Sequence, residues 1–237
     1  MSAASDYAAR LAAFRAALGP LPEGSAWRSE FLFEACRDES LFGDVDAVLA
    51  WYEDSRRAEA MRTEPIPLLE CRDWSIDPAS GALVHASCEF FRVEGLRTHT
   101  SPSREVEAGW DQPILTQVGF DGGILGLLRK RFEGVPHYLV EAKAEPGNYR
   151  MVQITTTIQA TFSNLKRAHG GKGTPYAEFF TAPADQGATV LVEVPEDHPV
   201  EPLAARYRWV GLYQLKELLR REDAIVAPHI RGVLALV

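Results

Sequence analysis

The sequence predicts an α+β fold: a mixed or mainly antiparallel sheet with flanking helices and an N-terminal helical arm. Apolar residues follow the helical period in the first sixty positions and the two-residue strand period from residue 68 to residue 194. The helical period returns near the end of the chain, in a stripe formed by Leu212, Leu215, Leu218 and Leu219. We therefore expect a helical arm over residues 1–62 and a sheet-containing domain over residues 63–237.

The helices of the arm are predicted from apolar stripes and their flanking residues. The first stripe follows the capping residues Ser5 and Asp6 and consists of Tyr7, Leu11, Phe14 and Leu18. The second begins near Asp44 and consists of Val45, Val48, Leu49 and Tyr52. In the strand region, Glu133-Gly134 and Pro146-Gly147-Asn148 have the composition of turns.

The composition is that of a folded, water-soluble protein. The 237 residues are 46% hydrophobic and carry a formal net charge of −8, which disfavours nucleic acid as a partner because its binding usually requires a basic face. The sequence has no apolar run long enough to span a membrane, and residues 1–18 lack the apolar block of a secretory signal. The three cysteines have no CxxC spacing, so we expect reduced thiols in the cytoplasm.

Two rows of polar side chains between residues 135 and 161 form the most informative pattern. In the first predicted strand, Glu141, Lys143 and Glu145 alternate with apolar residues. After the turn at residues 146–148 the alternation resumes, and the second row consists of Gln153, Thr155, Thr157, Gln159 and Thr161. If the two strands form a hairpin, both rows must lie on one face, because a slip of one residue would bury every polar group.

Such a face has two interpretations. It is either the solvated outer face of an antiparallel sheet, which is the commonest use of alternation, or a surface on which amides and hydroxyls hold a sugar while a carboxylate transfers a proton. The pattern by itself leaves both interpretations open.

A glycine-rich basic segment follows the second row. Residues 163–174 contain three glycines together with Lys166, Arg167 and Lys172. Backbone N–H groups of a glycine-rich turn, combined with Arg and Lys, are suited to hold a diphosphate. The order of a Walker A loop is absent, and an exposed basic turn has the same composition, so both readings of this segment stay open.

Metal and nucleophile motifs are missing from the sequence. The six histidines have no metal-ligand spacing, and neither a GxSxG elbow nor a GxGxxG fingerprint occurs. We therefore expect no metal. His137 and His169 are predicted to be structural or binding groups, since no acid is visible beside them in the sequence to orient the imidazole.

In these segments the chain resembles the NDP-hexose 2,3-dehydratase family of deoxysugar biosynthesis. The most specific part is the run from Glu141 to Asn148, EAKAEPGN, with Gln153, the segment 157–161 and Ser163-Asn164 following at fixed spacing. Other matching segments are Trp110-Asp-Gln-Pro-Ile114, Gly123-Ile-Leu-Gly126, His169-Gly-Gly171 and Tyr176 to Phe180. The similarity covers most of residues 45–237.

The resemblance implies a Nudix-like fold without Nudix chemistry, because the glutamate-rich metal-binding box of Nudix enzymes is absent here. It also implies a hydro-lyase that acts on an NDP-4-keto-6-deoxyhexose, usually dTDP-linked, in pathways such as antibiotic biosynthesis. A base removes the C3 proton, the C2 hydroxyl leaves with a proton from an acid, and the enol tautomerises to a 3,4-diketo-2,6-dideoxy sugar. The elimination itself requires no cofactor, and NADPH is used by a separate partner, a 3-ketoreductase.

The resemblance and the polar rows together suggest roles for individual residues. Glu145 is assigned as acid/base and Glu141 as the reserve candidate, while Lys143 between them is expected to keep one carboxylate ionised. Tyr176 is assigned to the nucleotide base or a phosphate. Contacts with the sugar are assigned to Gln112, Gln153, Thr157, Gln159 and Asn164, and contacts with the diphosphate to Arg167, His169, Gly170, Gly171 and Lys172.

Members of the family typically contain two tandem modules, whereas this chain contains one, so a homodimer is expected to restore the pair. Two alternatives to the dehydratase remain. One is a non-catalytic module that binds a nucleotide sugar, and the other is an enzyme of the same fold acting on another nucleotide-linked substrate, because a fold does not fix a function.

Overall fold

Helices begin the chain, strands follow and helices close it, which confirms the predicted α+β class. The computed structural model describes residues 3–88, 91–99, 109–117, 122–167, 170, 172–181, 191–221 and 225–234. Contacts divide the chain into two units, one of residues 1–62, 124–159 and 175–237 and the other of residues 63–123 and 160–174. In the described ranges we find no helix with both the length and the apolar content needed to cross a bilayer. The Nudix-like arrangement stays a prediction.

In chain order the helices are α1 (Ala3–Leu18), α2 (Ala26–Cys36), α3 (Val45–Ala58), α4 (Phe162–Leu165), α5 (Leu212–Arg221) and α6 (Pro228–Leu234). Helices α1, α3 and α5 form where the apolar stripes predict them, although α1 begins at Ala3, before the predicted cap. Helix α3 begins at the predicted place because the Asp44 carboxylate accepts the N–H of Ala47 at 2.9 Å. Its stripe of Val45, Val48 and Tyr52 is buried.

The strands of the described ranges form two sheets. The first unit's large sheet is built around the long hairpin of β5 (Gly123–Phe132) and β6 (Val135–Ala144), with β7 (Val152–Thr155), β8 (Ile158–Thr161), β9 (Leu191–Val194) and β10 (Tyr207–Val210) paired to one or other of them. Strand β9 runs parallel to β5, so the sheet is mixed. The hairpin turns at Glu133-Gly134, as predicted, with positive φ angles of 47° and 76°.

The second unit contains a four-stranded antiparallel sheet within its described residues. Its strands are β1 (Trp74–Ile76), β2 (Leu83–His85), β3 (Phe91–Thr98) and β4 (Trp110–Gln117), in that spatial order. The third and fourth strands form a ribbon in which Arg97 pairs with Asp111 across the strands at 2.8 Å.

The core of the first unit lies between one face of the large sheet and helices α3, α5 and α6. Tyr138, Val140, Ala142, Val152 and Ile154 contribute the sheet side of this core. The helix side includes the predicted stripe, with Leu212, Leu215 and Leu218 buried in α5. Residues Glu141, Lys143, Gln153 and Thr155 alternate with these apolar residues and therefore face the other side of the sheet.

The first helices pack within the first unit. Tyr7 and Leu11 of α1 and Phe33 of α2 bury against Val135 of β6, because none of these helices can cover its apolar stripe alone. Residues 63–123 and 160–174 group by themselves in the contacts, and the predicted domain of residues 63–237 stays a prediction.

A buried ionic network ties α2 to the sheet. Arg129 of β5 is 3% exposed and contacts the Glu34 carboxylate of α2 at 2.6 Å, and Tyr138 donates to the same carboxylate at 2.7 Å. Arg129 also pairs with Glu193 of β9. Pairing of this kind is what allows charged groups to stay buried.

Candidate active site

Within the pair of β6 and β7, the two polar rows share one face of the large sheet, as the sequence predicts. In the antiparallel pair of β6 and β7, Glu141 lies opposite Thr155 and Lys143 opposite Gln153. Residues directly opposite in an antiparallel pair project from the same face. The register of the hairpin is therefore the one that the hydrophobic pattern requires.

This face is not a solvated outer surface. Gln153 is 3% exposed, Thr155 is 1% exposed and Thr157 is 1% exposed. Buried polar groups are costly unless they are hydrogen-bonded, and Thr155 and Thr157 each have a partner described below. The solvated-face interpretation is thus wrong for Gln153, Thr155 and Thr157, whereas Gln159 and Thr161 are half-exposed.

Four side chains on this face form a connected group, which we call the Glu145 cluster: Lys143, Glu145, Thr155 and Gln159. The Lys143 ammonium lies 3.0 Å from the Glu145 carboxylate. The Gln159 amide donates to the two oxygens of that carboxylate at 3.4 and 3.3 Å. Its carbonyl oxygen accepts the Thr155 hydroxyl at 2.9 Å. The cluster brings together residues that the sequence places in separate rows.

Access to the Glu145 cluster is partial. The side chains of Lys143 and Glu145 are 25% and 31% exposed, whereas Thr155 beneath them is buried. Glu145 follows the end of β6, and its N–H donates to the carbonyl of Met151 across the turn. The backbone of Glu145 is thus fixed at the turn, while its partly exposed carboxylate can reach a ligand.

Glu141 lies apart from this cluster. Its carboxylate accepts from Arg206 at 2.7 Å, in the segment just before β10. Four residues of extended strand separate Glu141 from Glu145, or roughly 13 Å between their Cα atoms. Lys143 thus pairs with one of the two carboxylates, that of Glu145, and Glu141 has Arg206 as its own cation.

Burial holds two phenols near Glu141 in their protonated form. Burial, followed by the charge of Glu141, raises the pKa of Tyr207, and burial raises the pKa of Tyr176. The two rings contact each other at a centroid distance of 5.0 Å. The Tyr176 hydroxyl donates to the Glu201 carbonyl and accepts from the Leu203 N–H. Tyr176, which is 2% exposed, thus serves in packing, and its predicted contact with a nucleotide would require this arrangement to open.

The predicted second strand is broken into two, and its threonines explain the break. The Thr156 hydroxyl donates to the carbonyl of Ile158, and the Thr157 hydroxyl accepts the Leu128 N–H at 2.8 Å and donates to the Leu139 carbonyl. Thr157 therefore fills the gap where β5 and β6 separate. Its position is a structural one, and we do not retain it as a sugar ligand.

The remaining predicted site residues belong to the second unit. Gln112 is exposed on β4 and accepts from the Trp110 indole at 3.0 Å. Asn164 lies in α4, where its backbone N–H is capped by the Thr161 hydroxyl. Arg167 has a positive φ of 55°, and Gly170 and Lys172 are exposed. His169 and Gly171 lie outside the described residues. The assignment of diphosphate contacts to Arg167, His169, Gly170, Gly171 and Lys172 stays a prediction.

Sequence reasoning missed Arg206 and Tyr207. Arg206 pairs with Glu141, and its guanidinium lies over the Tyr207 ring at 5.1 Å. The signal was the run Arg206, Tyr207, Arg208 and Trp209, in which cations alternate with aromatic rings. The partner of Glu141 is 65 residues away in sequence, so alternation alone did not connect them.

His137 is structural, in agreement with the sequence analysis. Its Nε2 accepts the Leu41 N–H at 3.0 Å, and its Nδ1 lies 3.0 Å from the Val135 carbonyl, to which it donates. Burial lowers the pKa of His137 to about 4. The neutral imidazole thus joins the segment before α3 to β6. Elsewhere, no three His, Cys, Asp or Glu side chains converge in a metal-binding arrangement within the described ranges.

The chain matches known proteins over the segments that build this site. A family model described as NDP-hexose 2,3-dehydratase matches residues 45–191, more than half of the chain. The chain belongs to the NDP-hexose 2,3-dehydratase family. Strands β4 to β8, with the Glu145 cluster, lie inside the matched range.

Three curated relatives carry the name dTDP-4-dehydro-6-deoxy-alpha-D-glucopyranose 2,3-dehydratase. The Amycolatopsis orientalis protein is 36% identical over 81% of this chain and 44% of its own length. The Streptomyces violaceoruber protein is 37% identical over 81% and 46%, and the Saccharopolyspora spinosa protein is 35% identical over 79% and 41%. The chain thus spans less than half the length of the curated relatives it matches.

Proposed function

We propose that this chain provides a nucleotide-sugar 2,3-dehydratase site, which removes water from C2 and C3 of an NDP-4-keto-6-deoxyhexose, with dTDP as the nucleotide. The observation that carries the proposal is the Glu145 cluster, a partly accessible carboxylate between an ammonium at 3.0 Å and an amide at 3.3 Å. The family of the chain and the names of its relatives supply the substrate class.

The reaction needs one base, one acid and a hydrogen-bond donor for a developing enolate. In our proposal Glu145 takes the C3 proton, and the electron pair of the C3–H bond moves toward the C4 carbonyl, which becomes an enolate oxygen. The C2–O bond then breaks, and the hydroxyl leaves as water with a proton from Glu145 or Lys143. The resulting enol at C3 tautomerises to the 3,4-diketone. Substrate and product differ by one water, so the elimination is redox-neutral.

The positions of the side chains favour a single carboxylate for this chemistry. C2 and C3 are adjacent atoms, whereas Glu141 is roughly 13 Å from Glu145 along the strand and is paired with Arg206. Lys143, by contrast, contacts Glu145 directly. We therefore assign Glu145 as the base and Lys143 as the cation that stabilises negative charge near it. Gln159 orients the carboxylate.

The chemistry of the product and the family of the chain suggest a partner enzyme, a compartment and an oligomeric state. A 3,4-diketo sugar is labile, so we propose that a 3-ketoreductase using NADPH consumes it, in the cytoplasm where both enzymes and the nucleotide sugar are present. We also propose a homodimer, because a second copy would restore the pair of modules expected for the family.

Turnover by Glu145→Gln tests the proposal. The purified chain is incubated with dTDP-4-keto-6-deoxyglucose, a 3-ketoreductase and NADPH, and the 2,6-dideoxy product is measured. We expect the substitution to lower kcat by about 10²- to 10⁴-fold, the usual contribution of a positioned base. Glu23→Gln makes the same chemical change at an exposed residue between α1 and α2 and should leave kcat unchanged.

Two outcomes would contradict this assignment. Full turnover by Glu145→Gln would remove Glu145 as the base, and loss of turnover in Glu141→Gln alone would return the role to the reserve candidate. Thermal stabilisation of the wild-type chain by the nucleotide sugar, with no product formed, would favour the non-catalytic binding module.

A further inference from the structure

The four-stranded sheet of the second unit carries apolar residues in a row across one face. In its register, Leu83 of β2 lies opposite Ile76 of β1 and opposite Val93 of β3. Val93 in turn lies opposite Leu115 of β4. Residues directly opposite in antiparallel strands project from the same face. We call Ile76, Leu83, Val93 and Leu115 the apolar row, and the side of the sheet that carries it the row face.

Both ends of the apolar row are exposed. Ile76 is 48% exposed and Leu115 is 60% exposed, whereas Leu83 between them is buried. Phe91 projects from the same face, two residues before Val93, and is also exposed. The apolar face of a sheet is normally buried against another layer, and contiguous exposed apolar surface marks an interaction site. The row face therefore has the character of a surface that a partner covers.

The charges on the row face favour a second copy of this chain as that partner. Arg97 and Asp111 project from this face four residues along from the apolar row, and they pair with each other at 2.8 Å. The other described strand residues of the face carry no formal charge with histidine neutral, so nucleic acid or an anionic membrane finds no free charge there. Two copies of a chain with a net charge of −8 repel each other. A neutral apolar face is a surface on which they can approach.

The opposite face and the open edge of the sheet are less suited to a partner. On the opposite face, Arg92 and Glu94 pair at 3.1 Å, and Glu94 also accepts the Thr116 hydroxyl at 2.7 Å. Covering that face would take a charged group away from water in the middle of the contact. Strand β4 ends the sheet, and Pro113 within it lacks the N–H that pairing with a further strand requires.

We propose that the row faces of two copies pack against each other about a two-fold axis, as the two layers of a β-sandwich do. Packed sheets lie about 10 Å apart, so Ile76 and Leu115 of each copy become buried between the layers. A two-fold contact uses the same patch on both copies, which matches a neutral, self-complementary face. This interface rests on the homodimer of the proposed function and is independent of the chemistry at Glu145.

The size of the row face sets the strength of the contact. Strands β3 and β4 are eight residues long, and β1 and β2 are three residues long. From the spacing of residues and strands, the face measures roughly 360 Å² as a flat area. Stable interfaces bury about 800 Å² of accessible surface on each partner. The dimer is therefore a weak one that forms and dissociates in the micromolar range.

Sedimentation velocity of the full chain, from about 1 to about 200 µM, tests this weak association. Leu115→Asp and Ile76→Asp each place a carboxylate between the layers, and each should raise the dissociation constant of the dimer by about tenfold or more, because an unpaired charge is costly to bury. Leu96→Asp is the matched control. Leu96 is an exposed residue of β3 on the opposite face, and its variant should dimerise like the wild type. Thermal unfolding shows that each variant is folded.

Three results would overturn the interface. A wild-type chain that stays monomeric over the whole range rejects both the interface and the homodimer. A dimer that persists unchanged in Leu115→Asp and Ile76→Asp leaves the homodimer in place and rejects the row face. Loss of the dimer in Leu96→Asp, with none in Leu115→Asp, moves the contact to the opposite face. Dehydration of the nucleotide sugar is measured separately, so turnover by a monomeric wild-type chain rejects the dimer and leaves the dehydratase.

Discussion

At the scale of single residues, the orientation of the Gln159 side-chain amide decides which group contacts the Glu145 carboxylate. The Gln159 carbonyl oxygen accepts the Thr155 hydroxyl, and this bond turns the NH₂ group toward the Glu145 carboxylate. Thr155 is buried, so its hydroxyl has no competing water at the surface. Thr155 therefore helps to fix the Glu145 carboxylate indirectly, through Gln159. Thr155 does not itself contact the proposed substrate.

Thr155→Val should lower kcat by about fivefold while KM changes little, because it removes one orienting hydrogen bond worth about 1 kcal/mol. Valine has nearly the shape of threonine and leaves the strand intact. Thr155→Ser restores the hydroxyl and should recover most of the turnover. Equal kcat values for the Val variant and the wild type would show that Gln159 holds its orientation without Thr155.

At the scale of elements, close contact between β5 and its neighbours depends on the glycines of the segment Gly123-Ile-Leu-Gly126. A Cβ at Gly126 would lie 2.7 Å from Cγ2 of Ile158 and closer still to the ring of Phe180. A Cβ at Gly123 would lie 2.7 Å from the Ala160 carbonyl oxygen. The motif that the sequence shares with its family is thus explained by packing around β8.

Gly126→Ala should destabilise the chain by about 1–3 kcal/mol, because the added methyl forces Phe180 and Ile158 apart. Gly232→Ala is the matched substitution, since it lies in α6 with nothing within 4 Å of the added Cβ, and alanine there should stabilise the helix by up to about 1 kcal/mol. Urea unfolding measures both. Similar effects of the two substitutions would show that the contact around Gly126 is not tight.

At the scale of the whole molecule, acid stability depends on the connection between the segment before α3 and β6. His137 makes that connection as a neutral imidazole, and burial lowers its pKa from 6.5 to about 4. The unfolded chain therefore takes up a proton at higher pH than the folded chain. Stability from this group is present above about pH 6.5 and is lost as the pH falls toward 4.

The loss should approach about 3 kcal/mol at pH 4, from 1.36 kcal/mol per pKa unit. We expect His137→Gln to remove this part of the pH dependence, because glutamine can keep a donor and an acceptor but does not titrate. The measurement is the free energy of unfolding of both proteins between pH 7 and pH 4. The difference between them isolates His137 from the carboxylates, and parallel curves would contradict the prediction.

The sequence by itself determined the class of fold, the main helices and the face of the hairpin that carries Glu141, Lys143, Gln153 and Thr155. These features depend on local periodicity, which a chain carries in its own order of residues. The run from Glu141 to Asn148 also determined the family, and the family model confirms it.

Only the tertiary structure decided which of these groups meet. After the break in the strand at Thr156 and Thr157, Gln159 contacts the Glu145 carboxylate. The carboxylate of Glu141 instead pairs with Arg206, which is 65 residues away in sequence, and does not join the Glu145 cluster. Periodicity fixes the face on which a side chain lies, but not the strand edge or the distant cation that it contacts. Those depend on how separate segments pack together, because the free energy of burying their shared surfaces is gained only once they are assembled.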